Sequence, residues 1–139
     1  MGFKQEYSTG LIWQDTQHRE LIELLEKLSN TNADQANPKM FTYSTAFLVM
    51  YMNHHFSLEE AYMEAYGYPD TEYHKSEHKR FAEKVKSFRK KYTEFSSEAS
   101  KALEEQILDW VVGHIMDNDL KLGEFIHDAE QKMFLKNKK

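Results

Sequence analysis

Cysteine is absent from the 139-residue chain. Disulfides, iron–sulfur clusters, thiolate-bound haem and zinc knuckles are thereby excluded, while the redox state of the compartment stays unread. Glycine and proline are scarce, with 5 and 2 copies, which suits long helices better than many short strands. No run approaches the roughly 18 apolar residues of a membrane helix. The opening MGFKQEYSTG has no apolar stretch of the signal-peptide kind. It starts Met-Gly, but Glu6 stands where a myristoylation pattern needs Ser or Thr. Positive charge is not in excess either: 18 Lys and Arg against 23 Asp and Glu give −5, which argues against nucleic-acid binding. A cytoplasmic protein without membrane insertion is the expectation.

What is present is a 40% apolar composition, enough for a core, in a length that suits one domain. Histidine is the unusual count: seven, at positions 18, 54, 55, 74, 78, 114 and 127.

Four amphipathic segments are predicted. The first runs from Asp15, a suitable N-cap, to Leu28, with His18, Leu21, Leu25 and Leu28 on one face. A polar stretch, 29–38, ends in Asn-Pro and leads into a second helix over 38–66. There Phe47, Tyr51, His55, Leu58, Glu59 and Tyr62 follow steps of three and four. Gly67-Tyr68-Pro69-Asp70 is a tight link. The third helix, 71–95, buries His74, His78, Phe81, Val85, Phe88 and Tyr92 and carries lysines on its other faces. The fourth, 99–119, lines up Leu103, Ile107, Trp110 and His114, and Gly123 then punctuates a short C-terminal piece. The fold class is all-α: an up-down-up-down four-helix bundle in a single domain, 1–139. An arm (1–14) precedes the bundle (15–120), and a short helix with a basic tail (121–139) follows it.

A four-residue step on a helix turns about 40° past one full turn and rises about 6 Å, so two such side chains can share a metal. The step occurs in His55–Glu59 and in His74–His78, and His18 and His114 add imidazoles from the other two helices. A lone histidine on an apolar face is more often a hydrogen-bonded core residue. Five of them with a buried carboxylate have no cheap apolar explanation, and bound metal would balance that charge. Five nitrogens and two or more oxygens exceed one tetrahedral zinc site. They suit two first-row ions sharing carboxylates, with iron ahead of manganese or zinc. Helical arithmetic for a further ligand after His114 selects Asp117 or Asn118, because Asp119, five residues on, sits about 140° away on an ideal helix.

These motifs resemble those of the bacterial hemerythrins. The resemblance is carried by Asp15-Thr-Gln-His18, by His55-Phe56-Ser-Leu-Glu59-Glu60 and by Tyr68-Pro69 before His74-x-x-x-His78-x-x-Phe81. Trp110-x-x-x-His114-Ile115-x-x-x-Asp119 completes it. It implies one iron held by His74, His78 and His114, and a second held by His18 and His55. Glu59 and Asp119 would bridge them, with an oxo or hydroxo group between the ions. The family spacing favours Asp119, which requires a widened helical turn. The implied function is reversible dioxygen binding at an open iron position, in carriage, storage or delivery, without catalysis. Leu21, Phe56, Trp110, Val111 and Ile115 occupy family-like positions of an apolar oxygen pocket. The competing readings are a di-iron enzyme with peroxidase-like or nitric-oxide chemistry, which needs a polar proton donor in the pocket, and an oxygen or redox sensor acting through a separate partner. An unidentified protein recipient of oxygen is compatible with the carrier reading.

Other features read more plainly. His54 points about 100° away from His55, toward the surface. Glu124-x-x-His127 is one copy of a ferritin-like di-iron motif that needs two. Tyr51 and Tyr62 read as core residues.

Overall fold

Four helical rods carry the chain. The computed structural model describes residues 3–30 and 38–137. The centre of the polar loop (31–37), the Met-Gly start and the final two lysines lie outside the described residues. Helix α1 spans Ile12–Ser29, α2 Pro38–Tyr66 and α3 Thr71–Lys91. The fourth rod, 97–137, is one unbroken run of helical backbone. Within it, Leu103–Leu108 and Ile115–Asp119 are π-helical, bonded over five residues instead of four. α1 packs on α2 and on the fourth rod, and α3 packs on the same two partners. No described helix is long and apolar enough to cross a membrane.

Several boundaries differ from the sequence expectation, each for a local reason. α1 starts at Ile12, so Asp15 lies inside its first turn rather than at its cap. The Asp15 carboxylate instead accepts from Ser8 Oγ at 2.6 Å and from the Thr9 backbone N–H at 2.7 Å, tying the arm to the helix. These bonds outweigh partial burial and hold its pKa below the ordinary 3.8. α3 ends at Lys91 because Tyr92 turns to extended backbone. Ser96 Oγ accepts from the Ala99 N–H at 3.0 Å and caps the start of the fourth rod.

Gly123 does not break the fourth rod. It is a buried helical residue, and a Cβ there would lie 2.6 Å from Thr9 Cβ. The glycine therefore admits the N-terminal arm rather than ending a helix.

The buried face of α2 is also rotated from the expected one. It reads Phe41, Thr45, Leu48, Met52, His55, Glu59 and Met63, whereas Phe47 is 49% exposed. Residues 40–58 contain no Asp, Glu, Lys or Arg, so hydrophobicity alone marks no single face.

The apolar core is divided in two. The larger part gathers Leu21, Leu25, Phe56, Phe81, Ile107, Val111 and Ile115, among others. The smaller holds Leu11, Met63, Tyr68, Leu122 and Ile126. Where the two parts meet, each rod contributes buried polar residues: Gln14 and His18, His55 and Glu59, His74 and His78, His114 and Asp119.

Candidate metal centre

Each rod supplies that polar layer through its own helical register. On α2 and α3 the step of four stacks His55 over Glu59 and His74 over His78. On the fourth rod the π-helical turn Ile115–Asp119 brings the fifth residue after His114 back to the same side. Asp119 Oδ1 lies 3.1 Å from His114 Nε2, while Asp117 faces solvent. Of the carboxylates that helical arithmetic and family spacing proposed, the structure places Asp119 in the cluster and leaves Asp117 outside it.

The five imidazoles and two carboxylates divide into two overlapping groups. Glu59, His74, His78, His114 and Asp119 form one, and His18, His55, Glu59 and Asp119 form the other, with donor atoms in each within 4.8 Å of one another. Both carboxylates belong to both groups. Glu59 Oε1 lies 3.0 Å from His78 Nε2 and 3.5 Å from His74 Nε2. Its Oε2 lies 3.2 Å from His55 Nε2 and 3.6 Å from His18 Nε2. Asp119 Oδ1 is 3.0 Å from His74 Nε2, and Oδ2 is 2.9 Å from His18 Nε2. His54 and His127 are exposed and take no part.

Whether the donors fit a metal is tested by their hydrogen bonds. The Nε2 atoms of His18, His55, His74 and His114 are buried, and none has a hydrogen bond despite oxygens close by. These Nε2 atoms are not aimed along N–H···O lines, as they would be in a simple polar core. Glu59 and Asp119 are 0% and 1% exposed. Buried carboxylates of this kind require compensating positive charge. Two divalent ions, one beside each group of imidazoles, would give these nitrogens and carboxylates the partners they lack. The donor set fits.

The electrostatics of the protein part point the same way. Burial disfavours protonated imidazole, yet Asp119 and Glu59 outweigh it and raise His18 and His74 to about 9. Burial likewise resists charge on Glu59, but His55 and the other imidazoles hold it well below the carboxylate range. Asp119, opposed by burial and by Glu59, is held low by His114 and His18. Glu59 and Asp119 thus favour positive charge beside them.

Surrounding groups fix the rings. His55 Nδ1 pairs with Gln17 Oε1 at 2.5 Å, and His78 Nδ1 with Glu60 Oε2 at 2.9 Å. Gln14 Nε2 donates to Glu59 Oε2 at 2.8 Å. Phe56 stacks on His78 with centroids 3.9 Å apart, and Trp110 stacks on His114 at 4.7 Å. The sequence motifs contained Gln17 and Glu60 without a role, and Gln14 was not singled out. Gln14 carried a usable signal, since it precedes His18 by the same four-residue step that marked the histidine pairs.

A small cavity of about 10 Å³ adjoins the cluster, with room for about one water-sized molecule. Leu21, Phe56, Trp110, Val111 and Ile115 all line it, with His18, His55, His114 and Asp119.

Comparison with known proteins agrees with this geometry. Residues 9–126 match the Hemerythrin HHE cation binding domain. The bacteriohemerythrin of Clostridium acetobutylicum is 31% identical over 124 residues, covering 84% of this chain and 94% of the relative. That of Methylococcus capsulatus is 29% identical over 118 residues, covering 85% and 89%. The crystal structure of wild-type hemerythrin superposes with a TM-score of 0.76 at 27% identity, covering 91% of this chain and 97% of that one. With a domain match over most of its length and a bacteriohemerythrin relative 31% identical across 84% of it, the chain belongs to the hemerythrin HHE cation-binding family.

Proposed function

We propose that the chain binds dioxygen reversibly at a non-haem di-iron centre. His74, His78 and His114 hold one iron, His18 and His55 hold the other, and Glu59 and Asp119 are shared. A bound di-iron pair supplies reversible two-electron exchange with dioxygen. The observation that carries the reading is the asymmetry of the cluster: the group with only two imidazoles, His18 and His55, has both of them in the wall of the apolar cavity. That half is short of one protein donor on the side that faces the cavity.

The rest of the chain's work there is exclusion and orientation. Leu21, Phe56, Val111 and Ile115 are buried and keep bulk water from the cavity. Among the described lining residues no titratable side chain stands apart from the proposed ligands. Peroxidase-like turnover needs a proton donor aimed at the reacting oxygen, so the lining favours binding over catalysis. Gln17 and Glu60 orient His55 and His78 from outside. The mild negative charge speaks against a nucleic-acid partner, and a cytoplasmic location suits a chain with no described membrane-crossing helix.

The test is oxygen titration of reduced, iron-loaded protein. A visible absorption band that appears with oxygen, fades under argon and returns supports carriage. Prompt irreversible oxidation with turnover of added peroxide overturns it in favour of the enzyme, and a single zinc per chain overturns both.

A further inference from the structure

Gln14 is a member of the buried polar layer that neither the proposed ligand set nor the cavity uses. It is 0% exposed, and its amide Oε1 is buried without a hydrogen-bond partner. An orphaned buried carbonyl costs stability, and a leucine would fill similar volume without that cost. What the amide supplies in return is one bond, from Nε2 to Glu59 Oε2 at 2.8 Å. Its orientation is dictated by chemistry, since the opposite one would set the amide oxygen against a carboxylate oxygen.

That bond falls on one half of the cluster only. Glu59 Oε2 faces His55 and His18, and Oε1 faces His78 and His74. Among the described residues, the amide of Gln14 reaches the first oxygen and no side-chain amide reaches the second. An N–H donated to a carboxylate oxygen draws charge from it and weakens it as a metal donor. A ferric ion loses more by this than a ferrous one, because it depends more on anionic donors. Packing holds the amide in place: Gly123 has no side chain, and a Cβ there would come within 3.1 Å of Gln14 Oε1.

We propose that Gln14 is a positioning residue that turns Glu59 Oε2 toward His18 and His55 and biases that half of the centre toward the ferrous state. The inference rests on the reading of Glu59 as a shared ligand. It gives the reduced, oxygen-competent protein protection from oxidation through a group that touches neither metal nor gas.

The test is Gln14→Met, which keeps an unbranched side chain of similar volume and removes the N–H. Iron content, midpoint potential and the rate at which ferrous protein oxidises in air are compared with the unaltered chain. Expected are full iron content, a more negative potential and oxidation faster by on the order of tenfold. An unchanged potential with both irons in place overturns the proposal. Loss of iron with helicity intact also overturns it, because the bond would then retain metal rather than tune it. Gln14→Leu, read by the same criteria, serves if the methionine variant does not fold. Glu59→Ala separates the underlying reading from this one: two irons retained in that variant would remove Glu59 from the ligand set, whatever Gln14→Met does.

Discussion

Asp119 Oδ1 lies 3.1 Å from His114 Nε2 although the two residues are five apart, a contact made by the π-helical turn between them. An α-helical turn would carry the Asp119 side chain about 140° away. Asp119→Ala should therefore lower iron content well below two per chain, whereas Asp117→Ala should leave it unchanged. Metal analysis after anaerobic reconstitution decides this. Equal iron in the two variants would remove Asp119 from the centre.

Histidines divide in the same way. His74 is 2% exposed and 3.0 Å from Asp119, while His54 and His127 face solvent. His74→Ala should lose iron, and His54→Ala and His127→Ala should keep it. Circular dichroism distinguishes metal loss from unfolding.

The arm should release in acid. Asp15 accepts hydrogen bonds from Ser8 and Thr9, which keep its pKa below the ordinary 3.8 despite the opposing effect of burial. A carboxylate whose folded pKa is depressed adds stability above its unfolded value and loses it as pH falls through the folded one. The contribution is thus complete at neutral pH and disappears below about pH 4. The Thr9 amide should lose hydrogen-exchange protection over that range. Asp15→Asn should show weakened protection at neutral pH and little further change in acid.

Two helical glycines should respond with opposite signs. A Cβ at Gly123 would sit 2.6 Å from Thr9 Cβ, so Gly123→Ala should cost about 1–3 kcal/mol by forcing the arm aside. A Cβ at Gly113 would meet nothing within 4 Å, so Gly113→Ala should add about 0.5–1 kcal/mol through helix propensity. Urea denaturation of the two variants gives both values. A stabilised Gly123→Ala would show that the arm does not pack there.

The two paired donors on α2 and α3 were readable in the sequence because their spacing is local, whereas spacing alone pointed to Asp117 or Asn118 after His114 and only the family resemblance pointed to Asp119. Four residues make slightly more than one turn, so His55–Glu59 and His74–His78 are paired on any α-helix, whatever surrounds it. The face of α2 was not readable. Phe47 and Met52 look alike as apolar residues in a charge-free stretch, yet Phe47 is 49% exposed and Met52 is 2% exposed. Gly123 reads as a breaker until Thr9 is seen across from it.

The residues themselves determined the all-helical class, the links between rods and the chemical identity of the imidazoles, since these follow from composition, punctuation and helical period. Tertiary packing decided which side of α2 is buried and which amide meets Glu59. Those outcomes depend on where one rod lies against another. Gln14 and Glu59 are 45 residues apart, and helix period along either rod contains nothing about the distance between them.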